Sequence, residues 1–308
     1  MIGEFAILPR ALRENSYPDP DLARVCLQRL YDCIRNEAVA RNLAGKWAES
    51  VRSQSGLHPC AREILEHLAK VGRLVPDQMT FPRVPGCDLE WLDAALNSHN
   101  KSPLDLIVTR GREPKDPPLP AVASDIKDLD RSIWSRNSSG AIRVEPTMDG
   151  YLKSLSQIAK LSRRLVIIDP FLNPEERNYA EFPRLLIKLI ELNRGLFIEI
   201  HVKDNGSKHA RIKPFEDALR TIKWNGEFQL HVWDKFHDRY VISNLVGISM
   251  QRGLEFGGSK KGELLVWNRL TSEIREQKLK DVDPTLQKWR RLEFNTVKGT
   301  QTPVPRTD

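Results

Sequence analysis

The sequence predicts an α/β protein in two parts: a mainly helical N-terminal domain over residues 1–143, then a mixed sheet flanked by helices over 144–308. Three features of the chain point there. In the first part apolar residues recur at three- and four-residue steps, the period of a helix buried along one face. In the second, short apolar runs alternate with helical stretches, the order in which α/β sheets are built. Between them, over 111–120, Pro114, Pro117, Pro118 and Pro120 remove amide donors and forbid regular helix. The polar stretch 135–140 follows, and the boundary falls near residue 143.

In chain order, Leu22, Val25, Cys26, Leu30, Tyr31 and Ile34 line one face of a helix over 21–35, with Pro18 and Pro20 as entry punctuation. Cys60, Ile64, Leu65, Leu68 and Val71 mark a second helix, and a shorter one spans 88–96. Beyond the boundary the pattern predicts a helix over 147–163, a buried strand at 165–168, a long helix over 174–192 and a strand at 196–202. A helix over 214–224 precedes strands at 228–233, 239–243, 246–250 and 263–267.

A chain of 308 residues with 40% hydrophobic and 29% charged residues is an ordinary globular protein, neither broadly disordered nor a disulfide-stapled miniprotein. Apolar runs such as 165–168 fall far short of the ~20 residues a bilayer span needs, so no transmembrane segment is expected. The opening Met1-Ile2-Gly3-Glu4-Phe5 lacks a basic region followed by an apolar one, and the expected location is the cytoplasm. Cys26, Cys33, Cys60 and Cys87 form no Cys-x-x-Cys pair and are expected to be reduced core thiols; no metal and no cofactor is expected. The 48 Lys and Arg against 41 Asp and Glu leave a charge of +7, which favours a polyanion such as nucleic acid as partner. The basic residues are dispersed, so charge alone does not choose the partner. Residues 1–143 carry no catalytic motif; their expected role is to bind a companion protein, nucleic acid or a second copy.

Chemistry concentrates around His237. A histidine and a cation two apart on an extended strand point to one side of the sheet, so His237 and Arg239 are expected to converge on one phosphoryl group. A hairpin brings residues 249–253, with Arg252, back alongside, and Gly257-Gly258-Ser259 can present backbone amides to an anion.

This stretch resembles the phospholipase D superfamily, whose signature is His-x-Lys, four residues, Asp, then a Gly-rich or Gly-Ser step. His237 stands for the histidine, Arg239 for the lysine, and Asn244 falls where the aspartate would be. Together, Ile168-Asp-Pro-Phe-Leu172, His237-Asp-Arg-Tyr240 and Arg252-Gly-Leu-Glu-Phe256 look closer to the divergent phospholipase-D-like domain at the C-terminus of MIT-domain proteins and its bacterial relatives, over roughly residues 144–295. The resemblance implies a phospholipase-D-like fold and a metal-independent phosphodiesterase, here a nuclease on DNA or RNA of the kind found beside prokaryotic defence genes. One histidine would attack phosphorus and a second would protonate the leaving oxygen. With one motif copy, the resemblance implies a homodimer that brings two His237 side chains together.

The implied catalytic set is His237, Arg239, Asn244 and Asp169, and the phosphate-binding set is Arg239, Arg252, Gly258 and Ser259. Arg239 keeps a phosphate clamp, whereas Asn244 removes a charge for which Asp169 or Asp238 would have to compensate. The alternative is a non-catalytic phosphate-binding module for nucleic acid or acidic lipid headgroups, or a structural subunit of a larger complex. The plain reading of Asp169 is a strand-end cap before Pro170, and that of His237 a buried residue holding the hairpin. His201 and Lys203 lie with Glu199 on what reads as a solvated strand face; His231, alternating with Gln229 and Trp233, reads as structural. Lys288, Arg290 and Arg291 beside Trp289 read as helix-surface charges.

Overall fold

The computed structural model describes residues 2–36, 38–111, 119–132, 140–204, 206, 211–257, 262–286 and 288–299. The chain divides into two compact units, Met1–Ser139 and Gly140–Asp308.

The first unit is itself α/β, which corrects the expectation of a mainly helical domain. Strands β1 (Gly3–Ile7), β2 (Ala38–Asn42), β3 (Leu74–Pro76), β4 (Leu106–Thr109) and β5 (Ala123–Asp125) form a sheet in the order β3-β2-β1-β4-β5. Every pairing is parallel. A parallel sheet is covered on both faces, and β1 and β4 are buried at every position, so neither shows the alternation that announces a half-exposed strand. Parallel neighbours need crossovers. Helix α1 (Pro20–Asn36) joins β1 to β2, α2 (Trp47–Arg52) and α3 (Pro59–Lys70) join β2 to β3, and α4 (Asp88–Lys101) leads to β4. The Asp19 carboxylate accepts the amides of Asp21 and Leu22 at the start of α1. Buried Arg41 of β2 ties α4 to the sheet: its Nε pairs with Glu4 of β1 at 2.7 Å, and its Nη1 donates to Ser98 Oγ and the Ser102 carbonyl, both at 2.8 Å.

The second unit opens with β6 (Ala141–Val144), so the chain enters it before the expected boundary at 143. Its eight-stranded mixed sheet runs β13-β9-β8-β7-β10-β11-β12-β6, with β7 (Arg164–Ile168), β8 (Phe197–Lys203), β9 (Glu227–Trp233), β10 (Tyr240–Ser243), β11 (Gly247–Met250), β12 (Leu265–Arg269) and β13 (Arg291–Lys298). β7, β8 and β9 are parallel; β10 runs antiparallel to β7 and opens an antiparallel run to β6. Helices α5 (Met148–Leu161) and α6 (Phe182–Leu192) pack against each other. α6 buries Phe182, Leu185, Leu186, Leu189 and Ile190, a stripe at helical spacing. Helices α7 (Lys213–Leu219) and α8 (Ser272–Asp281) complete the unit among the described residues.

Two expected helices are shorter than their patterns. The one expected over 174–192 begins only at Phe182, because the Asn173 side chain caps the Glu175 amide and residues 173–181 run as turns that bury Tyr179. The one expected over 214–224 ends at Leu219, where the Thr221 hydroxyl takes the Ala218 carbonyl and the chain turns to bury Trp224. The basic cluster at 288–291 is not on a helix: Trp289 packs against Phe236, and Arg291 opens β13. No helix among the described residues is long and apolar enough to cross a membrane.

Candidate functional site

The candidate site lies at the middle of the second sheet, where the carboxyl end of β7 meets the start of β10. Antiparallel pairing sets Ile168 opposite Tyr240, so Asp169 leaves one strand beside Arg239 entering the other. Asp169 is fully buried. Its Oδ1 accepts the Phe171 amide at 3.1 Å, and its Oδ2 accepts the Tyr179 hydroxyl at 3.2 Å and the Leu254 amide at 3.3 Å. The Arg239 Nε lies 3.5 Å from Oδ1. Burial pushes the Asp169 carboxyl up to about 6, against the opposing pull of the Phe171 amide and the Arg239 charge. Gly253 makes this packing possible. It has φ +71°, and a Cβ there would sit 2.0 Å from Asp169 Oδ2.

Arg239 is held at two of its nitrogens, and its side chain is 21% exposed. Its Nη1 donates to the Gln251 carbonyl at 3.2 Å, its own carbonyl accepts the Met250 amide at 2.9 Å, and its guanidinium lies 4.8 Å from the centre of the Phe171 ring. Its Nη2 has no protein partner among the described residues. Phe171 is 45% exposed, so one side of the cation–aromatic stack faces solvent.

His237 is exposed on an irregular segment between β9 and β10. The strand starts at Tyr240, so His237 and Arg239 do not alternate along an extended strand as expected, and His237 is not a buried residue holding the hairpin. Its neighbours anchor the segment. Phe236 is buried against Trp289, and Asp238 pairs with Lys278 at 2.6 Å, which holds its carboxyl below the usual range. Asp238 is therefore committed to Lys278 rather than to the Arg239 site.

Asn244 lies elsewhere. It follows the last residue of β10, at the opposite end from Arg239 and about 17 Å along the strand. There its Oδ1 accepts the amides of Arg163 at 2.9 Å and Arg164 at 3.4 Å, a structural cap on the start of β7. Arg252 is engaged by two carboxylates, Glu263 at 2.8 Å and Glu255 at 3.1 Å, rather than held open for phosphate. The turn carrying it is fastened by Tyr151, whose hydroxyl donates to the Glu255 carbonyl, and by the Phe256 amide on the Asn178 carbonyl at 2.6 Å. Gly258 and Ser259 lie outside the described residues.

Two histidines read from the sequence as strand-face or structural residues form a second polar cluster, and it is buried. Glu199, His201 and His231 are each at most 5% exposed, which overturns the solvated-face expectation for β8. Their ligand-type atoms lie within 4.8 Å of one another. The arrangement does not suit a metal ion. The rings of His201 and His231 are stacked, with centroids 4.5 Å apart and planes 13° from parallel, so their in-plane lone pairs do not converge on one point. His201 Nδ1 accepts the Trp233 indole N–H at 3.0 Å, which leaves the proton of the neutral ring on Nε2. Arg164 grips Glu199 with two nitrogens, the Nη2 contact at 2.8 Å. Burial opposes ionisation of Glu199, yet His201 and the forked Arg164 hold its carboxyl down to about 2. Burial and the adjacent His201 push His231 down to about 3, and burial lowers His201 as well. Both rings are neutral near pH 7.

No family model matches the sequence. No curated protein matches it either. Among solved structures, TrmBL2, an archaeal chromatin protein described as showing a novel mode of DNA binding, aligns over 80% of this chain and 88% of its own at 13% identity and a TM-score of 0.31. A likeness of that size carries no functional argument, so the reading rests on the site.

Proposed function

We propose that the second unit is a phosphate-recognising module for single-stranded nucleic acid, centred on Arg239 and Phe171. The observation that supports it is the stack of the Arg239 guanidinium on the exposed Phe171 ring, with His237 exposed two residues upstream. A guanidinium nitrogen without a partner among the described residues suits a phosphate oxygen, and an exposed aromatic ring suits an unstacked base. Asp169 and Gln251 orient the guanidinium from below, and the net charge of +7 favours a polyanion. The test is fluorescence anisotropy of labelled single-stranded DNA and RNA over a salt series. Arg239→Ala and Phe171→Ala are each expected to weaken binding about tenfold, and Arg239→Ala to lower the salt slope by about one. Wild-type affinity in both variants would refute the reading.

The second reading is the phospholipase-D-like nuclease, and the exposure of His237 beside Arg239 favours it: a free imidazole is available to attack phosphorus. Against it, Asn244 is a strand length away and the buried His201 and His231 are out of reach of substrate, so the second histidine would come from a partner copy. Cleavage of DNA or RNA in chelator, abolished by His237→Ala and accompanied by a trapped phosphohistidine, is the outcome this reading requires. Binding without such cleavage leaves the module reading standing alone.

A further inference from the structure

The first unit carries an independent feature. Its parallel strand order β3-β2-β1-β4-β5 places later strands on one side of β1 and then on the other, so the chain changes direction of growth between β1 and β4. In open parallel sheets, connections leaving two such strands part in opposite directions and leave a crevice at their carboxyl ends, where ligands bind. Here the two exits are close. The Leu8 amide donates to the Val108 carbonyl at 2.8 Å, and Arg10 follows on a short 3-10 turn while Arg110 and Gly111 follow β4. A Cβ on Gly111, which has φ +63°, would lie 3.6 Å from Arg10 Nη2, so the Arg10 guanidinium reaches across to the β4 exit.

Two arginines mark these strand ends, one from each exit. Arg110 is 8% exposed; its Nη1 pairs with Asp125 at 3.2 Å and its guanidinium covers the Tyr17 ring at 4.8 Å, but its buried Nε has no hydrogen-bond partner. Asp125 also accepts the Gly111 amide at 2.8 Å, which fixes the β4 exit. Arg10 is half-buried and has no ion pair or side-chain hydrogen bond among the described residues. Among the described residues Arg10 thus carries no ion pair, and Arg110, though paired with Asp125, keeps an orphaned buried donor, at strand ends where a sheet of this order receives ligands.

The geometry points to a phosphoryl-binding site at the carboxyl ends of β1 and β4, with Arg10 as the anion-contacting residue and Arg110 as its buried support, suited to a small phosphorylated ligand such as a nucleoside diphosphate. Forked guanidinium groups match phosphate oxygens, and Arg10 is free to turn onto one.

The test is isothermal titration of the full chain with inorganic pyrophosphate and, separately, with ADP, both in an Arg239→Ala background so that the second unit's site does not report. Saturable binding of either ligand, weakened about tenfold by Arg10→Ala and partly restored by Arg10→Lys, is the expected result. Tighter binding of ADP than of pyrophosphate would assign a nucleotide, and equal binding a bare phosphate group. No saturable binding of either, or binding unaffected by Arg10→Ala, would overturn the proposal. Arg10 is partly exposed and outside the core, so its substitution is not expected to unfold the unit.

Discussion

Gly253 is the most exacting position in the second unit, and its replacement by alanine has a calculable effect. A Cβ would sit 2.0 Å from Asp169 Oδ2 and 2.8 Å from Cγ, distances no van der Waals contact permits. The carboxylate is fully buried, so it has nowhere to swing without releasing the Tyr179 hydroxyl and the Leu254 amide. Holding alanine at positive φ costs ~1–2 kcal/mol, and leaving buried donors unmatched adds ~1–3 kcal/mol, for a loss of about 2–5 kcal/mol. Gly257 supplies the control. It has φ +79° but no atom of the described residues within 4 Å of its would-be Cβ, so Gly257→Ala should cost only the backbone share, ~1–2 kcal/mol. Urea unfolding, followed by amide hydrogen exchange in β7 and β10 to isolate the second unit, gives both numbers. Gly253→Ala should also weaken oligonucleotide binding, because Arg239 is set by the same carboxylate. Two variants equally stable within ~0.5 kcal/mol would refute the claim that Gly253 exists to admit Asp169.

Other outcomes follow from buried charges. His231 is pushed down to about 3 in the fold, so between pH 6.5 and 3 the unfolded chain binds more protons, and this group's contribution to stability falls as pH is lowered. Asp169, raised to about 6, acts oppositely and on its own makes stability fall as pH rises through 4 to 6. Stability-against-pH curves should therefore flatten on the acid side in His231→Gln and lose the opposing slope in Asp169→Asn; unchanged curves in both would show that neither group titrates as described. In the first unit, Arg41→Ala strands the buried Glu4 carboxylate and loosens α4, with an expected loss of ~3–5 kcal/mol in denaturant unfolding. A loss below ~1 kcal/mol would mean that water replaces the guanidinium.

The helices were legible because their apolar residues keep a period that burial on one face demands; α1 and α3 fall within a few residues of the ranges expected for them. The parallel strands of the first unit were not, since a segment such as Gly3–Ile7 is buried on both faces and its five residues carry no alternation. Asp169 and Arg239 were found by sequence, and the structure brings them together. The motif spacing puts Asn244 beside Arg239, but β10 has only four residues, so a five-residue step from Arg239 traverses the whole strand. Phe171 falls within the Ile168–Leu172 stretch, but the sequence alone does not single out its ring, which stacks on Arg239. The available signal is an aromatic three residues after a strand end, in Asp-Pro-Phe, where the chain can no longer hide it within the sheet. The engagement of Arg252 had a local cue in Glu255, three residues away, but the second partner, Glu263, depends on the fold. Burial of Glu199 and His201 was invisible because the groups beside them, Trp233 and Arg164, come from neighbouring strands.

The short strand β6 matters for anyone who cuts this protein in two. It lies at the rim of the second sheet, hydrogen-bonded to β12 from Ala141 to Val144, immediately after the junction between the units. A fragment starting at 145 would strip that border and leave the backbone of β12 unpaired beside the already exposed Leu264 and Val266, an invitation to intermolecular strand addition. Starting at 140 retains the natural selvedge, so five residues separate a well-behaved fragment from a self-associating one.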